Sequence, residues 1–443
     1  MNDINEYFER EAEIKVKKWL ASGYITALIG PRQVGKTTLI QKTAKELKIQ
    51  TFYYNFDDVL LRGKVARDFY FLQKDIEARL GKSLDKINKE KILLIIDEAQ
   101  KGPSVFDYIK ILHEKYGAKV KIAISGSSSL ELQKKSAESL AGRCQYVYLY
   151  ALSISEILKA KFGIKSKTSL FNNLFNPDFS LLKKEYARFY PQNMELYESL
   201  KEILVFGLLP GVWSKPKDER FDYLRSIVSL YLDKDIRAAG LVKELENFQH
   251  LLEILSFQVG SAWNLSNLST QIQTSVNTLR AHRSILNNTF VLNFVYPYVR
   301  SPQKSVVKSP KCYFYDIGVA NYLAGRERIE NVFDSKSSGG IFENIIIKSF
   351  EAWNSNETMA CKTYFWRNYE DREIDFLVEK AGKIVPVEIT LSRDVVHKKV
   401  SNLECFMKEK KCDFGFIVYT GELKAIKLKN AKTILCVPWY LWQ

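Results

Sequence analysis

The 443-residue sequence has few of the residues from which a protein builds a thiolate or imidazole metal centre. Its six cysteines include no C-x-x-C pair, and its four histidines form no cluster with them. Structural zinc sites need such pairs at short spacing. The pattern therefore argues against a zinc site and indicates an intracellular chain with free thiols.

Long apolar runs are also missing. No segment approaches the roughly 20 apolar residues that a transmembrane helix requires. Residues 1–18 are charged throughout and contain no apolar stretch of the kind found in signal peptides. We therefore expect a soluble, cytoplasmic protein with no membrane partner.

What the sequence has in excess is positive charge. It contains 66 Lys and Arg against 51 Asp and Glu, which gives a formal net charge of +15 at pH 7. This balance favours an anionic partner such as nucleic acid, although a lysine-rich composition alone produces the same charge. The hydrophobic fraction of 46% is that of a globular protein, and the length suggests about three domains.

A glycine-rich motif, GPRQVGKTT at residues 30–38, follows an apolar segment at 25–29 and precedes a helix-like run at 39–47. Strand, Gly-rich loop, Lys-Thr and helix in this order are typical of a phosphate-binding P-loop. Backbone N–H groups and the helix N-terminus would face phosphate oxygens, Lys36 would hold the β- and γ-phosphates, and Thr37 would ligate magnesium. The alternative is a strand-to-helix turn without a ligand. The motif predicts ATP and Mg2+ as cofactors.

A second chemical signal is the apolar run at 92–96, which ends in Asp97 and Glu98. Ligands of open α/β sheets bind outside the carboxyl ends of the strands, so Asp97 is expected beside the P-loop, where it would complete the magnesium environment. Glu98 would polarise the water that attacks the γ-phosphate. The alternative is that both acids only favour a helix N-terminus. The residues predicted to contact the nucleotide are Gly30, Arg32, Gln33, Val34, Gly35, Lys36, Thr37, Thr38 and Asp97.

Two further residues are candidates for the same chemistry. A strand predicted at 120–125 ends in Gly126 and a run of serines, where Ser127 would orient the attacking water or sense the γ-phosphate. A helix cap for the following residues is the alternative. Arg143 precedes a β-prone run and would stabilise transition-state charge from its own chain or from a neighbouring subunit, unless it forms a surface ion pair. The predicted catalytic residues are thus Glu98, Ser127 and Arg143.

Taken together, four motifs resemble those of prokaryotic AAA-type ATPases, a group often described only as ATP-binding proteins. The motifs are GPRQVGKTT, IIDEAQ at 95–100, SGSSS at 125–129, and LAGR at 140–143 with LSISE at 152–156. The resemblance implies an α/β fold with a P-loop AAA-type ATPase domain, a helical lid, a winged helix and a C-terminal restriction-endonuclease-like domain of the PD-(D/E)XK class. The expected ranges, in that order, are 1–150, 151–244, 245–332 and 333–443.

The third region carries a helix-turn-helix pattern. A short helix at 264–272 and a second from 274 onward are followed by a strand at 290–298, a basic hairpin and a return strand at 312–315. This is the outline of a winged helix, which contacts DNA or docks a protein partner. The candidate DNA-contacting residues are Arg280, Arg283, Arg300, Lys304 and Lys308, and the hairpin also includes Lys311.

The C-terminal region indicates a carboxylate site. A helix opens after a soft Ser/Gly segment at 335–340, and paired strands are expected around 373–378 and 384–390. These elements would bring Glu343, Asp375 and Glu388 together. Three neighbouring carboxylates can bind magnesium and cut a phosphodiester.

The resembled nuclease pattern places a lysine shortly after the last acid, and Thr390 stands at that position. Without the lysine, nothing in the motif orients the attacking water or neutralises the phosphate. Lys398 or Lys399 from the following helix could replace it. An inactive nuclease-like scaffold is the favoured alternative.

The sequence therefore predicts an ATPase that couples ATP binding and hydrolysis to DNA engagement by a winged helix and a nuclease-like domain. One alternative is an ATP-regulated DNA endonuclease, and another is a nucleotide-dependent switch that binds a protein partner. A helicase is disfavoured because no second motor domain is present. Self-association stays open, because Arg143 would act in trans only in an oligomer.

Overall fold

The computed structural model describes residues 7–87, 91–117, 119–127, 136, 138–164, 166–237, 242, 244–299, 309–370, 372–429 and 432–443. These residues form two compact units. One contains Glu9–Tyr150 with Asn288–Phe290, and the other contains Met1–Phe8, Ala151–Asn287 and Val291–Gln443. The finer division of the second unit into three domains stays a prediction. Across the described parts of the chain, no helix has the length and apolar character needed to cross a membrane.

The first unit is built on a five-stranded parallel sheet. Its strands are β1 Ile25–Ile29, β2 Gln50–Asn55, β3 Ile92–Asp97, β4 Val120–Gly126 and β5 Cys144–Tyr148. Their order in the sheet is β2-β3-β4-β1-β5. The described helices of this unit are α1 Glu13–Ala21, α2 Lys36–Glu46, α3 Val59–Arg67, α4 Phe71–Leu80 and α5 Val105–Tyr116. β1, β3 and β4 are buried along their whole length, which explains why these strands are nearly continuous apolar runs.

The register of this sheet brings polar residues to one edge. Asn55 on β2 pairs with Asp97 on β3, and Leu28 on β1 pairs with Ser125 on β4. Since all the strands are parallel, their carboxyl ends lie on the same side, next to the loop between β1 and α2. The sheet thus collects side chains that are far apart in sequence around residues 30–38.

The second unit begins with helices. They are α6 Ile154–Phe162, α7 Phe179–Phe189, α8 Asn193–Phe206, α9 Pro210–Trp213, α10 Arg220–Leu230 with a π-helical continuation Tyr231–Arg237, α11 Leu245–Phe257, α12 Leu265–Ile272 and α13 Val276–Asn288. α6 opens with a capping box in which Ser153 and Glu156 each accept a hydrogen bond from the other's backbone N–H.

The rest of this unit surrounds an eight-stranded sheet. Its strands are β6 Leu292–Pro297, β7 Lys311–Phe314, β8 Lys362–Arg367, β9 Glu373–Lys380, β10 Lys383–Ile389, β11 Phe414–Tyr419, β12 Lys424–Lys427 and β13 Thr433–Pro438. The described helices between them are α14 Ile317–Leu323, α15 Ile329–Phe333, α16 Ser338–Asn354 and α17 His397–Lys410. The strand order is β12-β13-β11-β10-β9-β8-β6-β7. The antiparallel hairpin β6–β7 joins this sheet through a short parallel pairing of β6 with β8, so the predicted wing and the C-terminal strands share one sheet.

The prediction of a soft linker at 335–340 is wrong. The last three of these residues already belong to α16, and Ser337 donates a hydrogen bond to the carbonyl oxygen of Phe257. A Cβ atom on Gly340 would lie 2.0 Å from the carbonyl oxygen of Val259. Glycine is needed here for close backbone contact, so its presence does not indicate flexibility.

Candidate functional site

The loop between β1 and α2 has a backbone that depends on glycine. A Cβ atom on Gly30 would lie 1.9 Å from the carbonyl oxygen of Leu149, and Gly35 has a left-handed φ of 88°. The side chain of Lys36 is folded over this loop, and its Nζ donates to the carbonyl oxygens of Gly30 at 3.0 Å and Pro31 at 2.8 Å. An ammonium held by two carbonyl oxygens can exchange them for phosphate oxygens.

The other predicted loop residues are placed around this centre. Val34 is fully buried, Arg32 is half-buried, and Gln33 and Thr38 are exposed. Arg10, which sequence reasoning missed, braces the loop: its guanidinium donates to the carbonyl oxygen of Val34 at 2.7 Å and to that of Tyr150 at 2.7 Å. No local pattern marks Arg10, because both contacts are long-range.

Asp97 lies beside the loop, as the strand-end argument predicts. Its Oδ2 accepts hydrogen bonds from Thr37 Oγ1 at 2.6 Å and from the Tyr53 hydroxyl at 2.9 Å. Its Oδ1 accepts one from the Ser125 hydroxyl and one from the backbone N–H of Glu98 at 3.1 Å. Four donors converge on a carboxylate that is only 9% exposed. Sequence reasoning found Thr37 and Asp97 but missed Tyr53 and Ser125.

Glu98 and Ser127 are also brought together. Ser127 Oγ donates to Glu98 Oε2 at 2.9 Å, and Gln100 Nε2 donates to the same oxygen at 2.6 Å. Glu98 has a left-handed φ of 52°, an uncommon conformation that is often found at functional sites. The two donors hold the carboxylate in one orientation. The alternative cap role of Ser127 concerns residues 128–135, which lie outside the described residues.

Arg143 lies at the end of the sheet opposite the loop at 30–38 of its own chain, which argues against a role on a nucleotide bound there. It directly precedes β5, and Ile25, at the amino end of β1, donates its backbone N–H to the carbonyl oxygen of Arg143. The P-loop lies at the opposite, carboxyl end of β1. The guanidinium donates to Glu114 Oε1 at 2.6 Å, which is the predicted ion-pair alternative. Action in trans stays a prediction.

The loop residues fit magnesium and a nucleotide. Thr37 and Asp97 supply a hydroxyl and a carboxylate oxygen 2.6 Å apart, and oxygen donors are what Mg2+ prefers. Lys36 would supply the positive charge for phosphate oxygens, and Gly35, with no atom within 4 Å of an added Cβ, would leave the backbone open to them.

The second unit contains a buried cluster of opposite charges around Glu343. Lys311 Nζ donates to Glu343 Oε1 at 3.0 Å and to Glu373 Oε1 at 2.5 Å, and the Tyr313 hydroxyl also donates to Glu343. Burial, opposed by the charge of Lys311, raises the pKa of Glu343 to about 7. Lys311 belongs to the hairpin that the sequence analysis described as basic, but it is only 6% exposed and its charge is directed at these acids.

A second group of contacts joins Asp375 and Glu388. Lys399 Nζ donates to Asp375 Oδ2 at 2.6 Å and to Glu388 Oε2 at 2.7 Å, and Asn402 donates to Glu388 Oε1 at 3.1 Å. Burial tends to raise the pKa of Asp375, but Lys399 and Lys311 lower it to about 2. Burial and the charge of Asp375 raise the pKa of Glu388 well above its usual value. Asp375 therefore carries the negative charge of this pair.

The fit of this region to magnesium is poor. Two lysines already compensate its acids, and no set of three or more His, Cys, Asp or Glu side chains within the described ranges could hold a metal ion. The magnesium site at Glu343, Asp375 and Glu388 stays a prediction. Lys399 does occupy the place that the sequence analysis considered for a replacement of Thr390.

The helix-turn-helix region has the predicted elements in sequence. α12 and α13 are followed by the hairpin β6–β7, and Leu279 and Leu286 on α13 are fully buried. Arg280 is exposed, with a 3.4 Å contact to Asn277, and Arg283 lies 5.9 Å from the ring centre of Phe294. Three other candidates, Arg300, Lys304 and Lys308, lie outside the described residues.

Comparison with known families identifies the class of the first unit. Residues 22–158 match an AAA domain. The parallel sheet and the loop at 30–38 agree with this match, and together they support a P-loop domain of the AAA type. Residues 197–330 and 338–440 match two domains of unknown function, DUF8612 and DUF4143.

The chain is also similar over nearly its whole length to two proteins that are named as uncharacterized. The chain is 22% identical over 431 residues to the uncharacterized protein Rv2008c of Mycobacterium tuberculosis, covering 97% of this chain and 83% of that protein. It is 25% identical over 455 residues to the uncharacterized protein MJ1544 of Methanocaldococcus jannaschii, covering 98% of this chain and 90% of that protein. Among solved structures, the Walker-type ATPase PABY2304 of Pyrococcus abyssi matches with a TM-score of 0.46 and 14% identity, over 72% of this chain and 96% of that one.

Proposed function

We propose that the protein binds and hydrolyses ATP at the loop of residues 30–38 and that its nucleotide state controls contact with DNA by the second unit. The observation that carries the nucleotide part is the 2.6 Å hydrogen bond from Thr37 to Asp97, next to the enclosed ammonium of Lys36. This combination of hydroxyl, carboxylate and ammonium suits a magnesium–phosphate ligand.

The roles of the chain's own residues follow from their contacts. Lys36 would exchange its two carbonyl partners for phosphate oxygens. Glu98 would take a proton from the attacking water, and Ser127 and Gln100 would keep the Glu98 carboxylate oriented for this task. Bound magnesium would neutralise phosphate charge and be held through Thr37 and Asp97.

The DNA part rests on α12, α13 and the hairpin β6–β7. Their order is that of a winged helix, and the exposed Arg280 on the second helix suits a phosphate or base contact. The net charge of +15 favours an anionic partner. Under this proposal the C-terminal sheet is a nuclease-like scaffold whose acids are neutralised by lysines.

Nucleotide binding tests the first part. Lys36→Ala should abolish ATP binding and hydrolysis, whereas Lys45→Ala, an exposed lysine on the same helix, should leave both unchanged. Equal turnover by Lys36→Ala and wild-type protein would contradict the proposed site.

DNA titration at low salt tests the second part. Arg280→Ala should weaken DNA binding and reduce the slope of the logarithm of the binding constant against the logarithm of the salt concentration by about one. Arg225→Ala removes an exposed arginine on α10 and should change neither quantity. ATP turnover by wild-type protein should rise with DNA. Undetectable DNA binding at low salt, with turnover that ignores DNA, would favour the protein-partner switch.

One observation favours a second candidate function, an ATP-regulated endonuclease. Lys399 contacts both Asp375 and Glu388, so a lysine is available beside the acids despite Thr390. Incubation of plasmid with magnesium, with and without ATP, should produce nicks that Asp375→Asn removes. If the plasmid stays intact under all of these conditions, the endonuclease function is excluded and the proposal of an inactive nuclease-like scaffold stands.

A further inference from the structure

We propose that Tyr53 is a positioning residue for magnesium-dependent nucleotide binding, because its hydroxyl donates to the same oxygen of Asp97 that accepts from Thr37 and so helps to fix that carboxylate. The proposal rests on the proposed nucleotide site. It assigns a role to a residue outside the motifs at 30–38 and 95–100.

Tyr53 reaches the site from a neighbouring strand. It lies on β2, where it pairs with Ile95, two residues before Asp97 on β3. Its hydroxyl donates to Asp97 Oδ2 at 2.9 Å, while 37% of the residue is exposed. The polar end of the side chain is thus engaged and much of its surface is in solvent. This is unlike a tyrosine kept only for core packing.

The Tyr53 hydroxyl is the donor in this contact, because a carboxylate oxygen only accepts.

The four contacts of Asp97 divide between its two oxygens. Oδ1 is held by Ser125 and by the backbone of Glu98, whereas Oδ2 is held by Thr37 and Tyr53. A Thr37 hydroxyl that ligates magnesium through its oxygen can still donate its proton to Oδ2. Oδ2 must then lie where this one donor can reach it, and Tyr53, the second described donor to the same oxygen, keeps the carboxylate from turning away.

The neighbouring Tyr54 provides a matched control. Its hydroxyl donates to Asp75 Oδ2 at 2.6 Å, so Tyr54→Phe removes the same kind of hydrogen bond from the same strand. Tyr54 points away from Asp97, because successive residues of a strand face opposite sides of the sheet. A general loss of strand stability should appear in both variants.

The test measures binding of a fluorescent ATP analogue to the full chain, first in EDTA and then with increasing magnesium. In EDTA, Tyr53→Phe should bind the analogue with the affinity of wild type. It should need about tenfold more magnesium than wild type to reach the half-maximal increase in affinity, a loss typical of removing a hydrogen bond to a metal-holding side chain. Tyr54→Phe should follow wild type in both conditions.

Two results would overturn the proposal. In one, the magnesium midpoint of Tyr53→Phe equals that of wild type. In the other, Tyr54→Phe shifts by the same factor. Either result, with wild-type protein binding normally, leaves the proposed nucleotide site intact. Failure of wild-type protein to bind the analogue at all would instead overturn both proposals.

Discussion

Replacement of Lys311 by Met should strongly destabilise the sheet around β7. Lys311 is the ammonium between Glu343 and Glu373, at 3.0 and 2.5 Å, and its side chain is 8% exposed. Met fills a similar volume without the charge. The substitution leaves two carboxylates without their counter-charge, which is a different situation from replacing a whole ion cluster by apolar residues.

The magnitude follows from the burial of the two acids. Removing one partner of a buried pair costs about 3–5 kcal/mol. The Glu343 side chain is 12% exposed, so its uncompensated charge should carry the full cost. The Glu373 side chain is 31% exposed, so water screens its charge and reduces its part of the cost. We therefore expect the lower end, about 3 kcal/mol, which corresponds to roughly 100-fold faster hydrogen exchange in β7.

The cost should depend on pH in a defined direction. The pKa of Glu343 is raised from 4.5 to about 7, so the folded protein binds its proton more tightly than the unfolded chain does. The contribution of Glu343 to the free energy of unfolding therefore decreases as the pH rises from 4.5 to 7. Because Glu343 is largely neutral at pH 6, Lys311→Met should destabilise the protein less at pH 6 than at pH 8.

Peptide-resolved hydrogen exchange of β7 and α16 measures these effects without assuming that the whole chain unfolds in one step. Glu343→Gln in the Lys311→Met background should recover most of the protection, because the uncompensated charge is gone. Lys362→Met, an exposed lysine on β8, is the control. Protection in Lys311→Met equal to wild type at pH 8, or no recovery in the double variant, would refute the reasoning.

Three further predictions concern other parts of the chain. Gly30→Ala should destabilise the first unit by about 2 kcal/mol in thermal unfolding, because its Cβ would meet a carbonyl oxygen at 1.9 Å; Gly23→Ala, with no atom within 4 Å of its Cβ, should not. Burial, opposed by backbone N–H donors, raises the pKa of Asp316 from 3.8 to about 6, so stability should fall as pH rises from 4 to 6, and Asp316→Asn should flatten that slope. Arg143→Ala should leave the ATP turnover of monomeric protein unchanged, measured at low protein concentration.

Features encoded by short patterns could be predicted from the sequence. The apolar runs of β1 and β3 end in chemically distinctive residues, and parallel strands bring their carboxyl ends together, so the proximity of Thr37 and Asp97 followed without a structure. The same rule places Arg143, which directly precedes β5, at the end of the sheet opposite the P-loop.

Features that depend on long-range register could not be predicted. Tyr53 reaches Asp97 only because β2 and β3 are neighbours with one particular pairing, and Arg10 reaches the P-loop across the chain. The burial of Lys311 against Glu343 depends on β6–β7 joining the C-terminal sheet, which no local pattern indicates.

The central claim is that Glu98 activates water for hydrolysis of a bound nucleotide. A single-turnover measurement on Glu98→Gln tests this most directly, since glutamine preserves the shape but accepts no proton. Glu98→Gln should bind ATP with unchanged affinity and hydrolyse it about 100- to 10,000-fold more slowly than wild type. Hydrolysis at the wild-type rate by Glu98→Gln would contradict the account.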